Sequence, residues 1–418
     1  MTGPQAANDA CRMTNQTAGP DGGRAARRGF RSRDFRLSTF DLPLSTAVHG
    51  VRRRMVRRLC VLLGSSLALV LCGNSAAAAE ADLGSTFRDA GPGAAVRPPA
   101  RPVLDALDDP ETAGLLDRRT EAAIRRGLQF LKTTQGPDGR WGASDDANWV
   151  GYTAFAMIAF MLNGHFPDKK PPYGECMTRA LDALLKESEG QISGYMGTNM
   201  YAHGLATVAL SEAWGQTDQD DKIQEVLKAA VKVILRSQNE AGGWRYNPQP
   251  GGADVSVTAM QVVALAAARQ AGIFIPDDTV DRAVRYVNMA HHSASGGFTY
   301  MPGFGVPGFA RTAAATCSLQ MLGRHDAREV KAGVRYLLKE APEAVKDTHF
   351  YMYGMYYATL CLYQAGEDEF RLWYPQVREV MLARQGPDGG VGQRRGYDTS
   401  IAVIILSVPY GYVPAYQR

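Results

Sequence analysis

The chain has 418 residues and a formal net charge of +4, with 46 Lys and Arg against 42 Asp and Glu. The excess is local: residues 1–58 hold twelve Arg and no Lys against Asp9, Asp21, Asp34 and Asp41, so the rest of the chain is mildly acidic at −4. A body of that sign, without a basic stripe, argues against a nucleic-acid partner.

In chain order, Met55 and Arg57-Arg58 precede an apolar run from Leu59 to Leu71, followed by Cys72-Gly-Asn-Ser-Ala-Ala-Ala-Ala79. A charged start, an apolar stretch and an Ala-x-Ala end read as a signal peptide over 55–79, and hence as export to the periplasm or cell envelope. The run is too short for a membrane-spanning helix, and no transmembrane segment is expected in the mature body. Residues 1–54 are then either a start-site overcall or a basic N-terminal extension. Arg52-Arg53-Arg54 or Arg57-Arg58 leave a twin-arginine route open, and the bulky Leu71 argues against Cys72 as a lipid anchor. Residues 80–118 are rich in Pro, Gly and Ala and form a linker. Beyond it only Cys176, Cys317 and Cys361 remain, an odd number without metal or disulfide spacing.

From 119 to 418 two kinds of helix alternate. Segments 120–134, 175–188, 219–237, 279–290, 326–340 and 370–384 are amphipathic at helical spacing. Segments 150–163, 201–214, 255–271, 310–322, 350–365 and 398–408 are apolar almost all round, and such helices belong in an interior. Five of the apolar segments end at Gly164, Gly215, Gly272, Gly323 and Gly366, the residue type favoured just past a helix C-terminus. The pattern predicts an all-α fold of six helical hairpins, apolar helices inside and amphipathic ones outside, closed into an (α/α)6 toroid. An open solenoid would need polar end caps, and none is visible.

A string also repeats. Gln135-Gly-Pro-Asp-Gly139 and Trp141 return as Gln238 to Gly242-Gly-Trp244, and again as Gln385-Gly-Pro-Asp-Gly389 with Val391 in the Trp place. The sixteen residues 126–141 resemble the QW motif of the terpenoid cyclase and protein prenyltransferase repeat family, and the resemblance extends over about 120–410. It implies a toroid in which Gln135, Trp141, Gln238, Trp244 and Gln385 are structural, tying the end of an outer helix to the start of the next inner one. It also implies a site where the inner helices begin. Aligning those starts brings forward Tyr152, His203, Val257, Arg311, Tyr353 and Asp398, mostly polar residues at the mouths of apolar helices. Burying such groups is costly without a purpose.

The resemblance also shows what is missing. Squalene-hopene-type cyclases carry Asp-x-Asp-Asp-Thr-Ala, and here Asp254-Val-Ser-Val-Thr-Ala259 puts Ser256 and Val257 where the acids stand. A serine cannot supply the strong acid that starts a carbocation cascade. Where prenyltransferases place a zinc-binding His before Thr, this chain has Arg311-Thr312, and arginine does not ligate zinc. The tyrosine-rich run from His349 to Tyr357 suits a cavity wall or a core equally well, His291-His292 lacks a carboxylate at metal spacing, and Asp145-Asp146 reads as a solvated loop. No metal or cofactor is expected. The preferred reading is an exported toroid without the standard acid and zinc sites. It would bind a lipid-like or peptide ligand through Tyr152, His203, Ser256, Arg311 and Tyr353. The alternative is an isoprenoid cyclase, an isomerase in reaction class, whose acid has moved to Asp254 or Asp398. Oligomeric state leaves no trace in the sequence.

Overall fold

The computed structural model describes residues 114–142, 146–190, 192–345 and 350–410. The expectations for 1–54, for 55–79 and for most of the linker, together with Asp145 and His349, lie outside the described residues.

The chain forms α1 (Arg118–Thr134), α2 (Trp149–Met161), α3 (Gly174–Glu187), α4 (Met200–Ala213), α5 (Asp220–Ser237) and α6 (Val255–Gln270). It continues with α7 (Asp277–Met289), α8 (Phe309–Met321), α9 (Arg328–Leu337), α10 (Tyr351–Ala365), α11 (Glu367–Arg384) and α12 (Arg395–Ser407). The even-numbered helices form an inner ring, each packed on the next, and α12 closes it against α2. Each odd-numbered helix packs outside the inner helix that precedes it, and α1 covers α12.

Composition explains the two layers. In α1, Ala123, Ile124, Leu128 and Leu131 are buried on one side while Arg125, Arg126 and Lys132 stay outside. In α2 and α4 nearly every position is buried, from Trp149 to Met161 and from Met200 to Ala213, so both must lie between neighbours. Burying each large apolar side chain contributes about 1.5–3 kcal/mol, so the inner ring dominates stability. Four of the five predicted glycine terminators, Gly164, Gly215, Gly272 and Gly323, take φ between 74° and 83°. Gly366 differs: it stands alone between Ala365 and Glu367 and joins α10 directly to α11.

The repeated string fastens this ring. The Trp141 indole donates to the Leu131 carbonyl at the end of α1 (2.8 Å), and its backbone N–H donates to the Thr153 hydroxyl of α2 (3.2 Å). Trp244 repeats both contacts, to Ile234 (2.7 Å) and Thr258 (3.0 Å). The glutamines act differently from the expected outer-to-inner tie, because each reaches the next outer helix. The Gln135 amide donates to Gly139 (3.0 Å) and to Cys176 of α3 (2.9 Å), and that of Gln238 to Gly242 (2.9 Å) and Thr279 of α7 (3.0 Å). The Gln385 amide donates to Gly389 (3.0 Å) and to Ala123 of α1 (2.8 Å), which joins the last repeat to the first. Each glutamine thus occupies a carbonyl at the start of the following outer helix and one within its own loop.

A tyrosine-lined cavity at the inner-helix N-termini

Because inner helices run opposite to outer ones, all six inner N-termini open onto one face. There they surround a cavity of about 630 Å³. Each inner helix contributes one early residue that its neighbours do not fully bury: Tyr152, Tyr201, Ser256, Arg311, Tyr353 and Tyr397. Loops add Tyr246, Tyr300 and Phe304, and Phe155 lies one turn deeper. The rings brace one another, with Tyr152 and Tyr397 5.7 Å apart, Phe155 and Tyr397 5.5 Å apart, and Tyr353 and Tyr357 4.9 Å apart between centroids. Such offset and tilted pairs hold aromatic walls in place. Burial raises the Tyr353 and Tyr397 hydroxyls above the ordinary phenol range, as it does Tyr300, where a hydrogen bond with Tyr246 and the nearby Asp254 charge add to it. These tyrosines are therefore neutral donors at physiological pH.

Four of the five expected ligand-binding residues meet here: Tyr152, Ser256, Arg311 and Tyr353 all line the cavity. His203 is placed elsewhere. It is fully buried, its Nδ1 accepts from the Met196 backbone N–H (3.2 Å) and its Nε2 lies 3.1 Å from the Ala230 carbonyl. The Met196 bond explains why. In four other repeats a backbone N–H bonds a threonine hydroxyl, Trp141 to Thr153, Trp244 to Thr258, Phe298 to Thr312 and Val391 to Thr399. His203 stands in the place of Thr153, one residue beyond Tyr152. Burial lowers its pKa to about 4, so the ring is neutral and carries its proton on Nε2.

Neither expected acid reaches the cavity wall. Asp254 is the N-cap of α6: its Oδ1 accepts from the Val257 N–H (3.0 Å) and from the Ser256 hydroxyl (2.5 Å), and its Oδ2 lies 3.6 Å from Arg245 Nε. Asp398 turns back onto Arg394, accepting from its N–H (3.1 Å) and approaching its guanidinium (3.5 Å). Burial raises the Asp398 pKa against the pull of Arg394. The side chains facing the cavity are thus Ser256 beside Asp254, and Tyr397 beside Asp398. Among the described residues that line it, none is a carboxylate. The sequence reading missed Tyr201, Tyr246, Tyr300, Tyr397 and Arg394. A tyrosine near the start of an otherwise apolar helix was the available signal for Tyr201 and Tyr397.

No family model matches the chain, and no curated protein does. Solved structures do. A variant of the type II terpene cyclase MstE from Scytonema, in complex with merosterolic acid A, superposes with a TM-score of 0.50 at 14% identity, covering 74% of this chain and 99% of that one. An inactive variant of the α-1,6-mannanase GH76A of Salegentibacter sp. HEL1_6, in complex with α-1,6-mannotriose, gives 0.50 at 9% identity, covering 70% and 99%. The chain is an α/α toroid. At such identities the likeness extends to the fold alone, and the chemistry of the toroid must come from its own cavity.

Proposed function

We propose that the toroid binds a lipid-like small molecule in the tyrosine-lined cavity. The observation that carries this reading is the wall: six tyrosines with Phe155 and Phe304, and no carboxylate among the described lining residues. The volume of about 630 Å³ lies within the range of small-molecule pockets. Tyrosine offers an apolar face with a polar edge, which suits a chain bearing few hydrogen-bonding groups.

The cyclase alternative needs an acid on the wall, and Ser256 faces the cavity where that acid belongs. Two experiments separate the readings. Calorimetric titration with farnesol is expected to show saturable binding that Ser256→Phe, which projects a ring into the cavity, weakens by about tenfold or more. Absence of binding by the folded protein would refute the ligand reading. Incubation with squalene and polyprenyl substrates is expected to give no cyclised product, and a product lost in Asp254→Asn or Asp398→Asn would establish the alternative. We propose in addition that binding takes place outside the cytosol, after removal of the signal at 55–79; N-terminal sequencing of protein from a periplasmic fraction tests this.

A further inference from the structure

We infer that the bound molecule carries a hydroxyl group, seated between Tyr353 of α10 and Ser256 of α6. The inference rests on the lipid-like reading and narrows it to an alcohol. Both side chains line the cavity. Their placement follows from the turn beneath them. The Tyr357 hydroxyl of α10 donates to the Met260 sulfur of α6 (3.5 Å). Tyr353 and Ser256 stand four residues earlier on the same two helices, and residues four apart share a helix face. They therefore face one another one turn nearer the mouth, over a floor made by Tyr357 and Met260. The Tyr353 ring is held against that floor, 4.9 Å from the Tyr357 ring between centroids.

The two groups have opposite needs. The Tyr353 hydroxyl is buried with no hydrogen-bond partner among the described residues. Burial, and then the neighbouring Tyr201 and the Asp254 charge, hold it well above the ordinary phenol range, so it keeps a proton to donate. Ser256 is the reverse. Its hydroxyl donates to Asp254 Oδ1 (2.5 Å), so its one proton is committed and only its lone pairs remain for the cavity. Asp254 is itself fully buried and fixed as the N-cap of α6, which builds this orientation of the serine into the fold. An alcohol meets both needs: its oxygen accepts from Tyr353 while its proton goes to Ser256. An ether oxygen accepts from Tyr353 but leaves Ser256 unmet. A carboxylate has no proton for Ser256 either, and it would be brought against the Asp254 charge. A hydrocarbon leaves both groups unmet, and buried polar groups without partners are costly.

The test uses three probes with one tail, farnesol, farnesyl methyl ether and farnesoate, titrated calorimetrically into the whole protein below their aggregation limits. Farnesol is expected to bind about fivefold or more tighter than either of the others, as one further buried hydrogen bond supplies. Ser256→Ala is expected to bring farnesol within about twofold of the ether. Tyr353→Phe is expected to weaken farnesol and the ether alike, by about fivefold. In urea unfolding of the ligand-free protein, the same Tyr353→Phe is expected to keep or raise the midpoint, because the hydroxyl it removes has no partner to lose. A lowered midpoint would overturn the role given to Tyr353. Arg311 and Arg394 also line the cavity, which makes farnesoate the strictest comparison. Farnesoate or the ether binding as tightly as farnesol would overturn the hydroxyl while leaving the lipid-like reading intact. Failure of every probe to bind would remove both readings.

Discussion

Gly242 stands at φ 95°, and a Cβ there would lie 2.2 Å from the Arg282 carbonyl oxygen. Gly389 repeats the arrangement at φ 90°, with the Arg126 carbonyl oxygen 2.4 Å away. The obstacle in each case is backbone of the neighbouring outer helix, which cannot swing aside. Gly242→Ala or Gly389→Ala is expected to cost on the order of 3 kcal/mol in urea unfolding. Gly323→Ala, at φ 74° in open space, should cost only the left-handed strain of about 1 kcal/mol. His203 yields a second prediction. Its folded pKa of about 4 lies below the ordinary histidine value of 6.5. The stability it confers is therefore fully present above pH about 6.5 and is lost as pH falls toward 4. Chemical denaturation across that window should show a decline on the order of 3 kcal/mol that is absent in His203→Thr, which restores the hydroxyl found in four other repeats. At this scale the sequence was only partly legible. Spacing places His203 beside Tyr152 because both stand at a helix start, but only the Met196 bond shows that it replaces a threonine. A slip of one residue on a helix turns a side chain by about a quarter turn, which is enough to exchange Ser256 for Val257 and Tyr397 for Asp398.

The helices themselves were far more legible. An apolar run ending at glycine can hardly be anything but a buried helix, and the alternation with amphipathic runs decides the two layers. Boundaries drifted where capping signals were weak: α12 begins at Arg395, ahead of the expected 398, and its N-cap Arg394 makes no side-chain cap. The repeated glutamine was readable as a fastener, but its target was not, since nothing in the string identifies the carbonyl of a residue some forty positions away. Gln238→Ala removes both amide bonds, to Gly242 and Thr279, in a buried place. The expected loss is about 1–3 kcal/mol, measured as a lower urea midpoint with an unchanged slope.

At the scale of the whole molecule, closure is what distinguishes a ring from a stack. Gln385 reaches Ala123, and α12 packs on both α1 and α2. Gln385→Ala should therefore destabilise about as much as Gln238→Ala, although its partner lies near the other end of the body. No loss in urea unfolding would indicate an open end. Closure also creates the cavity, because only a ring points six helix N-termini at one space. The sequence could indicate that such a space exists and that Ser256, Val257 and Arg311 stand where the familiar acids and zinc ligand would. It could not show that the space is walled by tyrosines, since Tyr246 and Tyr300 arrive from loops whose paths depend on tertiary contacts, such as the Val255 N–H bond to the Tyr300 carbonyl (2.9 Å). The most direct measurement is a crystal structure of the protein soaked with dodecanol. The alkyl chain is expected among Tyr152, Tyr353 and Tyr397, with those rings held as they are here. A cavity collapsed onto its own tyrosines, or an alkyl chain bound only elsewhere on the surface, would contradict the account.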